Sequence, residues 1–465
     1  MLLNSNNVIA LADTEAWRDT TESLYKYLRR DHSDLTDQLR AIFPKTWDDR
    51  IERPVPFIWR LARELASLYR KPATRTHIGS GITRDVQARI DSIYRAIEVD
   101  TRLQAAQEQL VVLNNAALWA LPSPQGVRLV VVPPHHQMFW RSDPMSLDDR
   151  DIEKAHVKLP LGHDPETGLV AFGLAEITRD SAIWIEAPDS LRGTGVFSED
   201  GANPLGLVPV IIWRGSEPAP GEFWAPAPED LLAMQRAISL SQTDLGHISM
   251  LQGYGQPVIT GISASAAKEV RLGPESIVGL PDETQKFSFE HGSPPIADYQ
   301  RAVEGYTSQC LAMLGIRPEV FLRTGAVSAI AKQVDLIDRE IEREKFKIIF
   351  QKAEQRLYDL VRLWINHLRG TSEGVYPEAM NVEVRFHEPE KPADPLHNAQ
   401  STAMLVDMGL TTASRELART EGISQVEAVV RVETNLKETR RMKRIVTPDG
   451  QVVQGQAPLR VADDG

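Results

Sequence analysis

The chain has 465 residues, 42% hydrophobic and 25% charged, which is the composition of a soluble globular protein with about three domains. Its 64 acidic and 52 basic residues give a formal net charge of −12, which excludes a protein that grips nucleic acid with its whole surface. The single cysteine, Cys310, excludes an intramolecular disulfide and a cysteine-based zinc site, and its apolar neighbours predict a buried core residue. No apolar run approaches the ~18 residues of a membrane span, and the N-terminus lacks the pattern of a secretory signal, so we expect a reducing, cytoplasmic setting.

The first 125 residues predict a helical region. Residues 13–31 have the apolar spacing of an amphipathic helix. A second helix enters through the prolines at 54 and 56, because proline suits the first helical turn, and it stops at the Lys-Pro pair at 71–72. Two further helices, at about 84–99 and 101–118, complete this region.

Residues 126–225 predict an antiparallel β region, because the hydrophobic period changes to two. Ala155, Val157 and Leu159 alternate with polar residues, as in a strand with one buried face. Turn-forming sequences such as Asp-Pro-Glu-Thr-Gly at 164–168 separate strands of this kind.

The segment from Pro228 to Gly370 is the most informative part of the chain. It contains a sparsely charged helix (Leu231 to about Gln252), a Gly/Pro-punctuated β stretch, a second small-residue helix (Ile296 to Leu314) and a loop to Gly325. A helix of about 43 residues without Gly or Pro follows, ~60 Å long at ~1.5 Å per residue. Two helices so poor in charge and one so long predict packing against other copies of the chain.

The C-terminal part predicts one strand and then helices. Val382, Val384 and Phe386 alternate as in a short strand. Helical pattern returns from about 397 to 442, with breaks near Met408-Gly409-Leu410 and at Glu421-Gly422, and the last twenty or so residues predict a flexible polar tail. A basic run indicates a solvated helix end or a contact with nucleic acid; it comprises Lys437, Arg440, Arg441, Lys443 and Arg444.

Signals for catalysis are weak. No phosphate-cradling loop with Gly, Lys and Ser/Thr at the required spacing occurs, which argues against a nucleotide-driven motor. Acids on the long helix, from Asp335 to Glu344, interleave with basic residues, which favours a solvated or subunit-facing surface over a metal site. We therefore predict no catalytic residues, no metal and no cofactor.

The order of elements from Pro228 to Gly370 resembles the portal protein of tailed bacteriophages, the ring through which DNA enters and leaves the capsid. Residues 230–253 and 296–314 resemble its two stem helices, with clip strands at 256–261 and 277–281 between them. The run Gly315-Ile316-Arg317-Pro318 through Gly325 is similar to its tunnel loop, and Ser328-Ala329-Ile330-Ala331-Lys332 opens a long helix as in that family.

Further strings extend this resemblance to about residues 50–435. Residues 55–72 are similar to the family's helix that ends in Lys-Pro, and residues 408–412 and 421–423 resemble its C-terminal helical crown. One departure is that Gly325-Ala326-Val327-Ser328 replaces the Ser-Gly pair expected before the long helix, which leaves the boundary of the tunnel loop open.

The resemblance implies a helix-rich α+β fold with wing, stem, clip and crown that forms a homo-oligomeric ring, typically a dodecamer. The implied division is a helical wing part (1–125), a β part of the wing (126–225), a first stem helix (226–255), the clip (256–294), a second stem helix (295–315), the tunnel loop (316–327), a long wing helix (328–370), a strand and loop (371–396), the crown (397–445) and a flexible tail (446–465).

The resemblance also implies site residues. The tunnel-loop candidates for contact with DNA are Arg317, Phe321, Arg323 and Lys332. The candidates for lining the stem are Gln235, Arg236, Asp244 and Glu304. The candidates for a docking surface on the clip are Lys268, Glu269, Arg271, Glu275 and Lys286.

The implied partners are other copies of the chain, double-stranded DNA in the channel, the terminase large subunit, a head–tail adaptor protein, and the major capsid and scaffolding proteins. No membrane is involved. The expected location is the portal vertex of a virion, after assembly in the host cytoplasm.

Two other functions compete with this interpretation. A cytoplasmic helical adaptor or scaffold would use the long helix as a coiled coil, but charged residues interrupt its heptad pattern of Val334, Ile337, Ile341 and Ile348. A metal-dependent nuclease would use His387, Glu388 and nearby acids, although their spacing fits no helix-based zinc motif.

Overall fold

The computed structural model has a mixed helix-and-sheet, α+β architecture. It describes residues 15–45, 52–123, 126–143, 145–163, 170–189, 191, 193–253, 256–260, 286–290, 296–313, 329–369, 376–387, 402–421, 425–442, 444–446 and 452–454. The chain divides into two compact units, of which the first comprises Met1–Ala326 with Val334–Pro389 and the second Val327–Gln333 with Glu390–Gly465.

The first unit begins with helices. In chain order these elements are α1 (Glu15–Leu28), α2 (Ser33–Ile42), α3 (Phe57–Leu65), β1 (Thr74–Ile78), α4 (Arg84–Ala96) and α5 (Val99–Leu113). The sequence predicts α1, α3 and α4 but neither α2 nor β1. The predicted helix at 101–118 is wrong beyond residue 113, because Asn114 takes a left-handed conformation (φ 58°) that ends α5.

Two antiparallel sheets follow. Their strands are β2 (Asn115–Ser123), β3 (Gly126–Val132), β4 (Gln137–Arg141), β5 (Ile152–His163), β6 (Val170–Thr178), β7 (Ala182–Glu186) and β8 (Val210–Arg214). One sheet has the order β3-β2-β8 and the other the order β4-β5-β6-β7. The predicted alternation in β5 is confirmed, since Ala155, Val157 and Leu159 are all buried.

Strand β2 is buried on both faces. Ala116, Leu118 and Ala120 point into a core shared with α4, α5 and the long helix. Ala117, Trp119 and Leu121 point into a second core shared with the four-stranded sheet. A strand between two cores has no polar face and therefore no alternating pattern, which is why its sequence passes for the end of a helix.

The remaining elements of this unit lie further along the chain. They are α6 (Glu229–Gly253), β9 (Gln256–Thr260), β10 (Lys286–Glu290), α7 (Ile296–Met313), α8 (Ala329–Arg369) and β11 (Asn381–Arg385). Helix α8 has 41 residues, close to the predicted length, although its first residues belong to the second unit. Strand β11 confirms the predicted short strand and pairs with β1, which the sequence did not reveal.

The C-terminal half of α8 is enclosed by its own chain. Phe350, Leu357 and Trp364 are fully buried in the core that also holds β2, and the indole Nε1 of Trp364 donates to the carbonyl oxygen of Ala120 at 2.8 Å. The expectation that other copies must cover this helix is therefore wrong for that half. This half of α8 lies in the core of the first unit.

The interleaved charges on α8 are only partly solvated. Glu340, Glu344 and Lys347 form side-chain ion pairs at the surface. Arg343, in contrast, is 2% exposed; it pairs with Glu340 at 3.2 Å and donates to the carbonyl oxygen of His387. The sequence pattern predicts a solvated or subunit-facing surface, and Arg343 departs from it because β11 and the residues after it cover this turn.

The second unit contains helical residues 402–407, α9 (Ala413–Glu421), α10 (Gln425–Met442) and a hairpin of β12 (Arg444–Val446) and β13 (Val452–Gln454). The predicted break near residue 409 is confirmed, since Gly409 has a φ of 70°. At the start of the expected flexible tail, Val446 pairs with Val452.

A buried ion cluster links β1, α5 and α8. The Arg75 guanidinium makes two bonds of 2.8 Å to the Glu354 carboxylate and a third of 2.8 Å to Asp100. The Tyr69 hydroxyl donates to Glu354 at 2.9 Å, and the Glu354 side chain is 0% exposed. Burial, reinforced by the Glu354 charge, raises the pKa of the Tyr69 hydroxyl well above its ordinary value. The Tyr69 hydroxyl therefore keeps its proton and remains a donor to Glu354.

Replacing one partner of this cluster should destabilise the chain strongly. We expect Glu354→Ala to lower the free energy of unfolding by about 3–5 kcal/mol, because it leaves the Arg75 cation buried without its main partner. Urea denaturation at fixed protein concentration measures this loss. The matched control is Glu22→Ala, which removes an exposed pair with Lys26 and should change stability by at most about 0.5 kcal/mol. Equal losses for the two variants would contradict the assignment.

Candidate assembly and channel surface

Helices α6 and α7 flank two paired strands, β9 and β10, in the chain order. The two strands pair antiparallel, with Gln256 opposite Glu290 and Thr260 opposite Lys286. Leu231 and Ile238 of α6 share a core with Cys310 and Leu311 of α7. This unit corresponds to the segment whose sequence resembles stem and clip.

One face of α6 is a polar seam. Gln235, Ser239 and Thr243 recur every four residues, and all three are 0% exposed. The Gln235 Nε2 donates to the Val55 carbonyl at 2.8 Å and to the Ser239 hydroxyl at 2.7 Å, and its Oε1 accepts from the Ile58 amide at 3.1 Å. Ile58 lies in the first turn of α3, where backbone N–H groups lack helical acceptors, so Gln235 caps that helix from a distance.

The polar seam continues along α6 toward β9. The Thr243 hydroxyl accepts from the Arg53 amide at 3.1 Å and donates to the Ser239 carbonyl at 3.0 Å. One turn on, a Cβ at Gly246 would lie only 2.2 Å from the Nε of Arg53, so this position must be glycine while Arg53 crosses there. The small and polar residues of this face are therefore used within the protomer.

A partly buried ion pair fixes the other flank of α6. Asp34 accepts from Arg236 at 2.6 and 3.1 Å, from the Tyr27 hydroxyl at 2.9 Å and from the Ser23 hydroxyl at 3.0 Å. Burial alone would raise the pKa of the Asp34 carboxyl, but the bonds from Arg236 and Tyr27 outweigh it and hold that pKa below its ordinary value. Asp34 thus ties α1, α2 and α6 together as a carboxylate.

These contacts correct one of the predicted channel residues. Gln235 is enclosed by its own chain and is not exposed to line a channel. Arg236 is part-exposed and paired with Asp34. Asp244 is half-buried on α6 and Glu304 is exposed on α7, so these two stay candidates together with Arg236.

Helix α7 keeps a whole face exposed. Its covered side is formed by Val303, Cys310 and Leu311, and burial raises the pKa of the Cys310 thiol, as suits the predicted core residue. On the opposite side, exposed residues recur every three or four positions; we call these residues the assembly face: Asp298, Ala302, Gly305, Gln309 and Ala312. Beside them, Tyr306 is 58% exposed and Tyr299 is 39% exposed.

On the described parts of α6 and α7, each arginine is paired with an acid, and further acidic side chains are present. Their two arginines are Arg236, paired with Asp34, and Arg301, paired with Asp298 at 2.9 Å. The helices also carry Glu229, Asp230, Asp244 and Glu304. Such a surface offers phosphate groups little attraction.

Few of the other predicted site residues lie in described parts of the chain. Lys286 is exposed at the start of β10. Lys332 lies in α8, but its side chain is outside the described part of the chain. The remaining tunnel-loop and clip candidates also lie outside the described residues: Arg317, Phe321, Arg323, Lys268, Glu269, Arg271 and Glu275.

Two general searches cover the described residues alone. They contain no group of three or more His, Cys, Asp or Glu side chains placed to hold a metal ion. Among them, no helix combines the length and hydropathy that crossing a bilayer requires. Of the residues proposed for a nuclease, His387 is exposed at the end of a described segment and Glu388 lies outside it.

Sequence reasoning missed the residues that anchor α6. The spacing of Gln235, Ser239 and Thr243 at i, i+4 and i+8 was a signal, since three hydrogen-bonding side chains on one face of a charge-poor helix indicate a buried polar contact. Asp34 gave no such signal, because its partner Arg236 lies 202 residues away in the chain.

The seam makes a stability prediction. Gln235→Ala should lower the free energy of unfolding by about 2 kcal/mol, because the Ile58 amide and the Val55 carbonyl lose their partner in a buried place. The control is Gln242→Ala, the same change at a half-exposed position of the same helix. Chemical denaturation of both variants measures the difference. Identical midpoints would show that Gln235 is free for another role.

Comparisons with known proteins find resemblance at the level of structure. No protein-family model matches the chain, and no curated protein matches it. A chain in the neck of an empty gene transfer agent particle, computed with C6 symmetry, is similar at 12% identity and a TM-score of 0.41, over 80% of this chain and 91% of that one. A chain in the virion of the native gene transfer agent particle has 12% identity and a TM-score of 0.41, over 84% and 93%. A chain in the neck of the native particle, computed with C12 symmetry, has 12% identity and a TM-score of 0.40, over 80% and 90%. Similarity of this size does not bear on what the chain does.

Proposed function

We propose that this chain is the subunit of a portal ring at one vertex of a phage-like capsid, through which double-stranded DNA enters and leaves. It supplies geometry and docking surfaces and catalyses no reaction. The observation that carries the proposal is the exposed assembly face of α7, on a helix whose other side is fixed to a rigid wing. The order of sequence elements from Pro228 to Gly370 supports the same function.

The composition of the assembly face favours contact with another helix. Ala302, Gly305 and Ala312 carry little or no side chain, so a helix of another copy can approach closely. On the exposed side of α6, Ala233 and Ala237 offer a second small-residue surface. If α7 of one copy packs on α6 of the next, the contact is heterologous and closes into a ring when its rotation divides a full turn. A ring of twelve is the copy number that the family resemblance implies.

The charge of the stem suits passage of DNA. Each Lys or Arg that binds a phosphate adds affinity through counterion release, and a channel with many such contacts would hold the duplex in place. The arginines of α6 and α7 are matched by acids, and Asp244 and Glu304 add negative charge. The few basic contacts are then those of the tunnel loop, namely Arg317, Arg323 and Lys332.

The partners follow from the same arrangement. The hairpin of β9 and β10, with exposed Lys286 and the clip residues 268–275, would dock the terminase large subunit during packaging and a head–tail adaptor afterwards. The wing would contact the major capsid and scaffolding proteins. The site of action is the virion, after assembly in the host cytoplasm.

The coiled-coil scaffold is the weaker alternative. A coiled coil needs one apolar stripe of the long helix to be free for a partner helix. From Phe350 to Ile365, the apolar residues of α8 face the core of their own chain instead. Ile348 is 62% exposed, but a single residue does not make a seam.

The ring proposal predicts the effect of a substitution on the assembly face. A Cβ at Gly305 meets nothing within 4 Å, and replacing glycine in a helix removes a cost of about 1 kcal/mol, so Gly305→Glu should fold well as a single chain. It should nevertheless fail to assemble, because the carboxylate would be buried between copies. Size-exclusion chromatography with light scattering, followed by negative-stain imaging, measures mass and shape.

The matched control is Ala88→Glu, on the exposed side of α4. It should give the same ring with a central hole as the unmodified chain. An unchanged mass for Gly305→Glu would place the contact elsewhere. An unmodified chain that stays monomeric at high concentration would contradict the ring itself.

The tunnel-loop proposal predicts a separate effect on DNA. Arg317→Ala/Arg323→Ala should leave the mass of the ring unchanged and reduce the amount of nuclease-protected DNA per particle, because the loop then loses its basic contacts. The control pair is Arg84→Ala/Arg95→Ala on α4, where both residues are exposed. Loss of assembly in the loop variant would mean that these arginines are structural.

A further inference from the structure

A cleft of about 800 Å³ lies in the first unit, away from the stem and clip. Three parts of the chain line it: residues 147–150, residues 211–218 and the α8 residues from Ile348 to Arg356. Strand β8 is the edge of the three-stranded sheet, so its outer side forms one wall. Ile348 and Leu147, 62% and 43% exposed, stand at its mouth.

The inner part of the cleft has more cations than anions. The Asp149 carboxylate accepts from the Ile212 amide at 2.8 Å and interacts with the charges of Arg214 and Arg356. Arg214 donates from Nε to the Phe223 carbonyl at 2.8 Å, and its guanidinium lies over the Phe223 ring at 4.7 Å. Two guanidinium groups therefore act on this carboxylate, and the Asp359 and Asp148 charges act less strongly on Arg356. At the exposed rim, Asp148 and Glu217 balance Arg150 and Lys352.

Arg356 has buried hydrogen-bond donors without partners among the described residues. Its Nε and Nη2 atoms are buried, and within the described residues neither has a hydrogen-bond partner. Leaving donors of a charged group buried and unpaired costs more than leaving those of a neutral group. Burial lowers the pKa of Arg356 and lowers that of Arg214 to about 10, although nearby carboxylates oppose both shifts.

The chemistry of these donors defines the missing ligand. A guanidinium presents its N–H groups in a planar fork that matches two oxygens of a phosphate or carboxylate. An oxyanion that accepts from Arg356 would satisfy its unpaired donors and add negative charge beside it. The rim and the volume leave room for a group larger than chloride.

We propose that this cleft binds a phosphate-type oxyanion, with Arg356 as the hydrogen-bonding residue and Arg214 and Lys352 adding positive charge. A free ion and a phosphate of a larger molecule share this chemistry, and the binding does not depend on formation of a ring.

Isothermal titration calorimetry of the full chain with inorganic phosphate tests the proposal. The titration is run at pH 7.5 in chloride at constant ionic strength, since phosphate stabilises folded proteins in general and a melting shift would not be specific. We expect one saturable site per chain. Arg356→Met keeps the length of the side chain but removes its donors, and should weaken binding about 10- to 100-fold.

Two further variants make the test decisive. Asp149→Asn keeps an acceptor for the Ile212 amide while removing a negative charge, so phosphate should bind about tenfold more tightly. Arg102→Met removes an exposed arginine outside the cleft and should change nothing. A short DNA duplex that competes with phosphate at this site would identify the ligand as a nucleic-acid phosphate, and phosphate binding without competition would identify a free ion. Absence of phosphate binding, or equal binding by Arg356→Met, would overturn the proposal.

Discussion

The structure depends on the contact between the polar seam of α6 and the backbone of residues 53–58. Gln235 and Thr243 satisfy backbone groups at the entry to α3, where the helix supplies no acceptor of its own and Pro56 contributes no side-chain cap. Because buried backbone groups must be paired, this contact fixes the rotation of α6 about its axis. The rotation of α6 in turn positions α7, which packs on it. The face of α7 that remains exposed is therefore a consequence of hydrogen bonds made by α6.

The low charge of α6 had two possible explanations, and the sequence could not separate them. A helix of Ser, Gln, Gly and Ala can pack against a neighbouring copy or against its own chain. The deciding partners lie far away in sequence: Ile58 is 177 residues from Gln235, and Asp34 is 202 residues from Arg236. Periodicity reports which side of an element is buried but not what covers it. We therefore no longer assign the predicted intersubunit contact to most of α6. We assign it to the exposed side of α7, which is also rich in small residues but lacks the polar seam.

The elements that the sequence predicted well are those with a single buried face or a long uninterrupted pattern, such as β5, β11 and α8. The failures have physical causes. Strand β2 follows α5 after one left-handed residue, Asn114, and is buried on both faces, so neither a boundary nor a period of two was visible. Strand β1 is short and has one buried residue, His77, because its stability comes from pairing with β11 some 300 residues later. Of the channel candidates, Gln235 failed because an amide can be a structural cap as readily as a channel surface.

Several arginines of the described chain are paired with acidic side chains. A chain with a net charge of −12 can still present cations wherever they are unmatched. Arg75 is paired with Glu354 and Asp100, Arg236 with Asp34, and Arg301 with Asp298, so these arginines keep their hydrogen-bonding geometry while their charge is balanced. Arg356 differs because its buried Nε and Nη2 have no hydrogen-bond partner among the described residues. An external oxyanion that accepts from these donors would satisfy them.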